Sequence, residues 1–302
     1  MASAAPGGSD GLGIILPEFP LDPEGRWRNV GEVVARAEAA QASGVWLPDH
    51  ILWHSKAIDA LSTLPALASH ASSPALTIGA AVIQLPLRDP ITVAKTFANA
   101  QMMAPGRVVC GVSIGENAEE YERLGRSMRT RGRVVDASID ELRRLWGLRG
   151  GQRWMNPEPE HIPIWVGGRA EVARRRAALK GDGWLPYLCS PRWFARHSQA
   201  LSEEALAAGR DPAAITRGVV AFVDVDEVRS DCQGAAKLEH LFGFDPEPLL
   251  GFLLRGTATE VAERLVEYLA AGATEIMVVV ANDRCQDAFD ALNPAFLAAR
   301  AR

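Results

Sequence analysis

Short apolar runs and amphipathic stretches take turns along this chain. The runs lie at residues 12–16, 45–47, 76–83, 108–112, 162–166, 183–188, 218–223 and 275–280, eight in all. Most are apolar at consecutive positions instead of alternate ones, which is what a strand covered on both faces requires. Between the runs, apolar positions recur with helical spacing. Val30, Val33, Val34 and Ala37 share one face, and Val261, Leu265, Val266 and Leu269 share another. Pro90 suits the first turn of a helix running to Met103, and Ile139, Leu142 and Leu145 mark a helix within 136–146. Strands alternating with helices predict parallel pairing through right-handed crossovers.

Eight such units predict an α/β chain folded as a (β/α)8 TIM barrel. A doubly wound open sheet is the structural alternative, but no G-x-G-x-x-G opens a first helix. Two segments exceed a minimal barrel: a Gly- and Pro-rich connection at 148–161 and an insertion after strand seven at 226–257. Long insertions in barrels shape the active-site mouth. Residues 1–10 are small and polar, with neither the basic nor the apolar region of a signal peptide, and read as a disordered leader. Residues 11–302 then form a single domain.

Composition narrows the class. Of 302 residues, 48% are hydrophobic and 23% charged, enough for a large buried core. The net charge of -5 gives no general pull toward nucleic acid or an anionic membrane, so neither is expected as a partner. No run approaches the length of a membrane span. Cys110, Cys189, Cys232 and Cys285 show no C-x-x-C or zinc spacing and read as reduced thiols of a cytoplasmic protein.

In a barrel of this kind, chemistry gathers just past the strand ends. Strand one ends at Glu18 and strand two at Asp49-His50, followed by Trp53 and His54. Strand three ends near Gln84, strand four at Gly115-Glu116, and strand five at Gly167-Gly168-Arg169. His50 is the leading proton-handling candidate, with Asp49 placed to fix its tautomer or raise its pKa; a purely structural hydrogen bond is the alternative. His50 and His54 are four apart, yet they leave a strand and have no evident third ligand, so no metal site is expected. Glu116 is a candidate acid if partly desolvated, or a helix cap if solvated. Glu18 is a weaker candidate because Pro17 suits a loop. Gly167-Gly168 ahead of a helix, with Arg169 alongside, reads as a phosphate site or as an ordinary tight turn. The basic run at 126–133 reads as a solvated helix start or a contact for an anionic cofactor tail. No G-x-S-x-G, P-loop or HExxH is present, and none of the four lysines ends a strand, which removes Schiff-base chemistry.

Several stretches carry a family resemblance in their order and spacing. They are G-V-W-L-P-D-H at 44–50, P-L-R-D-P at 86–90, R-V-V-C-G-V-S-I-G-E at 107–116, P-I-W-V-G-G at 163–168, G-D-G-W at 181–184 and R-G-T at 255–257. The chain resembles the bacterial luciferase-like superfamily, and within it the enzymes that use coenzyme F420. The resemblance implies that His50 handles a proton beside the deazaflavin, that Glu116 is the partner acid, and that Glu18 shares the pocket. It implies a non-proline cis peptide near Ala81-Val82 behind the cofactor ring. It also implies that Gly167, Gly168 and Arg169 take the cofactor phosphate, with Asp49 and Gly115 lining the same site. Relatives acting on sugar phosphates use basic residues in the later half, where only Arg192, Arg255 and Arg284 are plausible here. A more apolar substrate is therefore expected, with Trp53, Trp184 and Arg255 in its pocket and Trp193, Phe242 and Phe244 as further aromatic candidates.

The reading that follows is an F420-dependent oxidoreductase. It would transfer a hydride between the deazaflavin C5 and a small organic substrate, preferentially reducing an activated C=C or C=N bond. An FMN-dependent monooxygenase using reduced flavin and oxygen is the first alternative. A catalytically silent cofactor-binding barrel is the second. The resemblance further implies a homodimer, and a separate flavin or F420 reductase would supply reduced cofactor.

Overall fold

The computed structural model describes residues 10–16, 29–54, 58–147, 155–156, 158–159, 161–226, 234–243, 245–281 and 285–302. The expected leader up to residue 9, the candidate acid Glu18, Cys232, Phe244, Arg284 and most of the 148–161 connection lie outside them. Asp10, the last residue assigned to the leader, is held by Arg300, whose guanidinium donates to its carbonyl at 2.8 Å.

Nine strands form one sheet among the described residues: β1 (Gly13–Ile15), β2 (Gly44–Leu47), β3 (Thr77–Gln84), β4 (Val108–Ser113), β5 (Ile164–Gly167), β6 (Gly183–Leu185), β7 (Thr216–Val225), β8 (Leu253–Gly256) and β9 (Glu275–Val280). The helices are α1 (Val30–Ala39), α2 (Ala60–His70), α3 (Pro90–Met103), α4 (Ala118–Arg123), α5 (Arg131–Leu145) and α6 (Glu171–Lys180). After them come α7 (Pro191–Ala207), α8 (Gly234–Phe242), α9 (Glu247–Leu250), α10 (Ala258–Ala270) and α11 (Cys285–Arg300). Pairing is parallel throughout. Neighbours run in chain order from β1 to β7, β9 pairs with both β7 and β1, and eight strands close into a barrel.

The eight expected runs are these eight barrel strands. The ninth, β8, falls inside the expected insertion, with α8 and α9 before it. The ten residues of β7 outlast the three of β6. The upper part of β7, Phe222 to Val225, consequently pairs with β8 on the side that β6 has vacated.

Closure makes every strand two-faced. Ile14, Val45, Val108, Ile164 and Val278 pack outward into the layer beneath the helices. Their immediate neighbours Ile15, Trp46, Val109, Trp165 and Val279 turn into the lumen. Trp46 and Trp165 stack there with ring centroids 5.2 Å apart. Glycines make the room. A Cβ on Gly79 would lie 2.4 Å from Cζ3 of Trp46, and one on Gly183 would lie 2.5 Å from Cδ1 of Trp165. The indoles therefore occupy the lumen below the C-terminal strand ends.

Two expectations test this packing. Gly79→Ala overpacks the lumen and is expected to lower stability by about 1–3 kcal/mol in urea unfolding. Burial pushes the Glu275 carboxyl at the start of β9 up to about 7, while the Ser43 hydroxyl, 2.5 Å away, and Arg300 pull it down only in part. The folded state thus keeps its proton while the unfolded chain ionises, so this group's contribution falls as pH rises from about 4.5 to about 7 and is level above. Glu275→Gln is expected to raise the melting temperature relative to wild type at pH 8 and to lose that advantage at pH 4.

Candidate active site

A cavity of about 400 Å³ opens at the C-terminal ends of the strands. Its floor is apolar, from Ile15, Ala81, Val82, Val220 and Val279. Leu241 and Phe242 of α8 cover one side, so the insertion after β7 does shape the mouth. The lining also includes Arg131, which donates to the Gly115 carbonyl at 2.9 Å, Arg176, whose guanidinium is paired with Asp136 at 2.7 Å, and the first turn of α6. That helix has Ala170 as its N-cap, which offers no side-chain acceptor, so its first N–H groups and its dipole open on the cavity beside two guanidinium groups.

His50, Asp49, Trp53, Ala81, Val82, Gly115, Glu116, Gly167, Gly168 and Arg169 all line this cavity. Elements far apart in sequence bring them together because each follows a different barrel strand. The Ala81–Val82 peptide bond is cis, at the point where the β3–β4 register shifts. Gly115 has a φ of +67°, and a Cβ there would lie 2.2 Å from Oε1 of Gln84. Only glycine fits this turn.

Some assignments need correction. Asp49 does not hold His50. Its carboxylate is only 1% exposed and is bound by Arg88 at two points, and it accepts from the backbone N–H of Gln84 at 3.1 Å. Burial pushes its carboxyl above the usual range against the pull of Arg88. The partner of His50 is Glu120, which is completely buried; its Oε2 lies 3.2 Å from Nδ1 of the imidazole. Trp53 stacks on the His50 ring at 3.7 Å and donates its indole N–H to the Leu241 carbonyl at 2.9 Å. This contact links the histidine to α8. His54 turns away and donates to the His240 carbonyl at 2.7 Å. Among the described residues, no cluster of three His, Cys, Asp or Glu side chains could hold a metal.

Glu116 is exposed, so the expected partial desolvation is not found. Nor does it cap the next helix, since Asn117 is the N-cap of α4. Instead Glu116 accepts a hydrogen bond of 3.1 Å from the Tyr187 hydroxyl. Burial and the neighbouring carboxylate push that hydroxyl up, so it stays protonated and donates.

The glycine pair departs from expectation in one respect. The Gly168 N–H is already committed to the Leu185 carbonyl at 3.1 Å. The free donors are those of α6, and the glycines serve by bending the chain: Gly168 has a φ of +119°. Arg169 donates to the Leu188 carbonyl at 2.7 Å and lies over the Phe252 ring.

Two expected pocket residues do not line the cavity. Trp184 is fully buried and stacks on Phe194 of α7, 5.7 Å between centroids. It is one position out of phase with Gly183 and Leu185, so it faces the helix layer. Arg255 lies within β8, in register with Asp224, and among the described residues its buried Nε has no hydrogen-bond partner. Arg131, from the basic run at 126–133, does line the cavity, whereas Glu120, Tyr187 and Arg176 carry no local signal of a site. Asn117-x-x-Glu120 has the spacing of a capping pair, which disguises Glu120, and Asn117 does cap α4.

A closed parallel barrel with an apolar cavity and acid–base groups at its C-terminal mouth has the architecture of a barrel enzyme. The chain belongs to the luciferase-like monooxygenase family, whose model matches residues 12–248. It is 24% identical over 286 residues to the F420-dependent hydroxymycolic acid dehydrogenase of Mycobacterium tuberculosis, covering 87% of this chain and 76% of that one. An uncharacterised protein of the same organism is 36% identical over 118 residues, 34% of this chain; the chain thus matches only 40% of that relative's length. Among solved structures, the chain is similar to an F420-dependent secondary alcohol dehydrogenase in complex with an F420-acetone adduct. The TM-score is 0.76 at 19% identity, over 94% of this chain and 98% of that one. It is also similar to a type II Baeyer–Villiger monooxygenase component of Pseudomonas putida in complex with FMN, with TM-score 0.68 at 15% identity, over 94% and 98% of the two chains. At these identities the solved structures establish the fold alone. No helix among the described residues is long and apolar enough to cross a membrane.

Arg88 carries the local stability of this rim. Replacing it strands a buried carboxylate, so Arg88→Met is expected to cost about 3–5 kcal/mol in chemical denaturation. The loss should shrink as pH falls and Asp49 takes up a proton.

Proposed function

We propose that this chain is an oxidoreductase that uses F420 as its hydride carrier and acts on a small, uncharged organic substrate. The observation that carries the reading is the polarity of the cavity at the C-terminal strand ends. An apolar floor around Ala81 and Val82 suits a tricyclic ring, and Arg131 and the open first turn of α6, beside the Arg176–Asp136 pair, suit a phosphate. A bound deazaflavin supplies or accepts a hydride at its C5 carbon. Around it, the chain's own groups do the remaining work. Arg131, Arg176 and the first turn of α6 hold the anionic end. The floor excludes water and orients the ring. His50 and Glu116, both on the rim, exchange the proton that accompanies the hydride. Leu241, Phe242 and Trp53 offer the substrate an apolar wall. Reduction of an activated C=C or C=N bond is the preferred direction.

An FMN-dependent monooxygenase is the second reading, favoured by the fold shared with the FMN complex described above. Fluorescence titration separates the two. F420 is expected to bind at least about tenfold more tightly than FMN, a difference of about 1.4 kcal/mol; the reverse order selects the second reading. Under the first reading, His50→Ala and Glu116→Gln should each lower turnover by about 10²- to 10⁴-fold with F420 affinity kept. Arg176→Ala should instead weaken F420 binding. Full activity in both rim variants would remove these assignments.

A further inference from the structure

Glu120 lies entirely beneath the rim, 70 residues from His50 in sequence, and every acceptor site on its carboxylate has a donor. Oε1 accepts from the backbone N–H groups of Ile51 at 2.5 Å and Leu52 at 3.0 Å. Oε2 faces His50 Nδ1 at 3.2 Å and the Gln84 side-chain nitrogen at 3.3 Å. The Gln84 nitrogen also lies 2.6 Å from the Asp49 carbonyl and 3.1 Å from His50 Nδ1. It has two hydrogens for three neighbours. Were one given to Nδ1, that nitrogen would be unprotonated and would meet the Glu120 carboxylate lone pair to lone pair. The consistent solution sends the two Gln84 hydrogens to Asp49 and Glu120, and puts a proton on Nδ1 pointing at Glu120. Reversing the Gln84 amide is no remedy, because its oxygen would then face the Asp49 carbonyl and the Glu120 carboxylate.

We propose that Glu120 is the positioning residue that locks His50 in its Nδ1–H form, leaving Nε2 as the atom that exchanges protons at the cavity. The role in turnover rests on the F420 reading above; the tautomer does not. In the oxidative direction, the electron pair of a substrate C–H bond leaves with its hydrogen as hydride to the deazaflavin, and the proton on the adjoining nitrogen or carbon passes to Nε2 as the C=N or C=C bond forms. In the reductive direction, both transfers reverse and the doubly protonated ring gives the proton back. The two amide contacts at Ile51 and Leu52 anchor the segment just after His50, and Trp53 stacking limits ring rotation from the other side. Burial alone would raise the Glu120 carboxyl. The hydrogen bonds from His50, Leu52 and Ile51 hold it below the usual range instead, so it is an anion at neutral pH.

The test begins with the full chain, free of cofactor and labelled with ¹⁵N-histidine. Long-range ¹H–¹⁵N correlation spectra at about pH 8.5 report which ring nitrogen of His50 is protonated, with assignment by the His50→Asn variant. The expected result is Nδ1–H; an Nε2–H ring in the wild type overturns the proposal without recourse to any variant. Glu120→Gln is close to isosteric. Its carbonyl can keep the Ile51 and Leu52 amides, which turns its NH2 toward Nδ1. The His50 tautomer is expected to invert, and an unchanged Nδ1–H form overturns the proposal. In turnover with F420, Glu120→Gln should lower kcat by about 10²-fold with KM and F420 affinity within about threefold, and Glu120→Asp should recover part of the loss. A rise in KM together with weakened F420 binding and unaltered kcat would mark a merely structural glutamate and overturn the positioning role. Absence of F420 binding in the wild type would instead sink the cofactor reading, with the tautomer result standing on its own.

Discussion

Closure of the parallel sheet is the constraint from which the rest follows. Once β9 pairs with β1, each strand has a lumen face and a helix face, and successive residues must divide between them. Trp46 and Trp165 then fall inward and occupy the lumen below the C-terminal strand ends, with glycines on neighbouring strands giving way to their rings. The cavity opens at those strand ends. There, the segments after separate strands deliver a histidine, a glutamate, three arginines and a helix N-terminus to one cavity. Architecture and site share one cause.

The site itself is organised by a buried carboxylate pair with opposite allegiances. Asp49 is bound to Arg88 and ties the end of β2 to the segment after β3. Glu120 is bound to His50 and to the two amides that follow it. Between them Gln84 donates to both the Asp49 carbonyl and Glu120, so the β2 loop is held from two sides. Buried polar networks of this kind are costly when incomplete and rigid when complete. Here each carboxylate has its donors, while among the described residues Oε1 of Gln84 has no partner, and the ring of His50 is held by Glu120 and Trp53. Preorganisation of this sort is how a site gains rate without reorganising at the moment of reaction.

The insertion after β7 does more than lengthen the chain. It returns as β8 beside the projecting end of β7, and α8 is thereby set over the cavity. Its Leu241 carbonyl receives the Trp53 indole, so the apolar wall of the cavity and the His50 ring are mechanically joined. Differences in substrate among proteins of this fold can arise in such a segment while the barrel stays unchanged.

The sequence by itself determined the eight strands, their alternation with helices and the set of loops that meet at the mouth. Those follow from local patterns: apolar runs, helical spacing, and the residues immediately past each run. Only the tertiary structure decided which way side chains face and whom they bind. A run that is apolar on both faces carries no phase, so nothing in 183–188 says that Trp184 looks outward and Leu185 inward. Contact between His50 and Glu120 spans 70 residues and depends on β2 and β4 lying on either side of β3 in a closed barrel. Adjacency in sequence pointed to Asp49 instead, yet adjacent residues leaving a strand point to different sides, and that geometry hands Asp49 to Arg88.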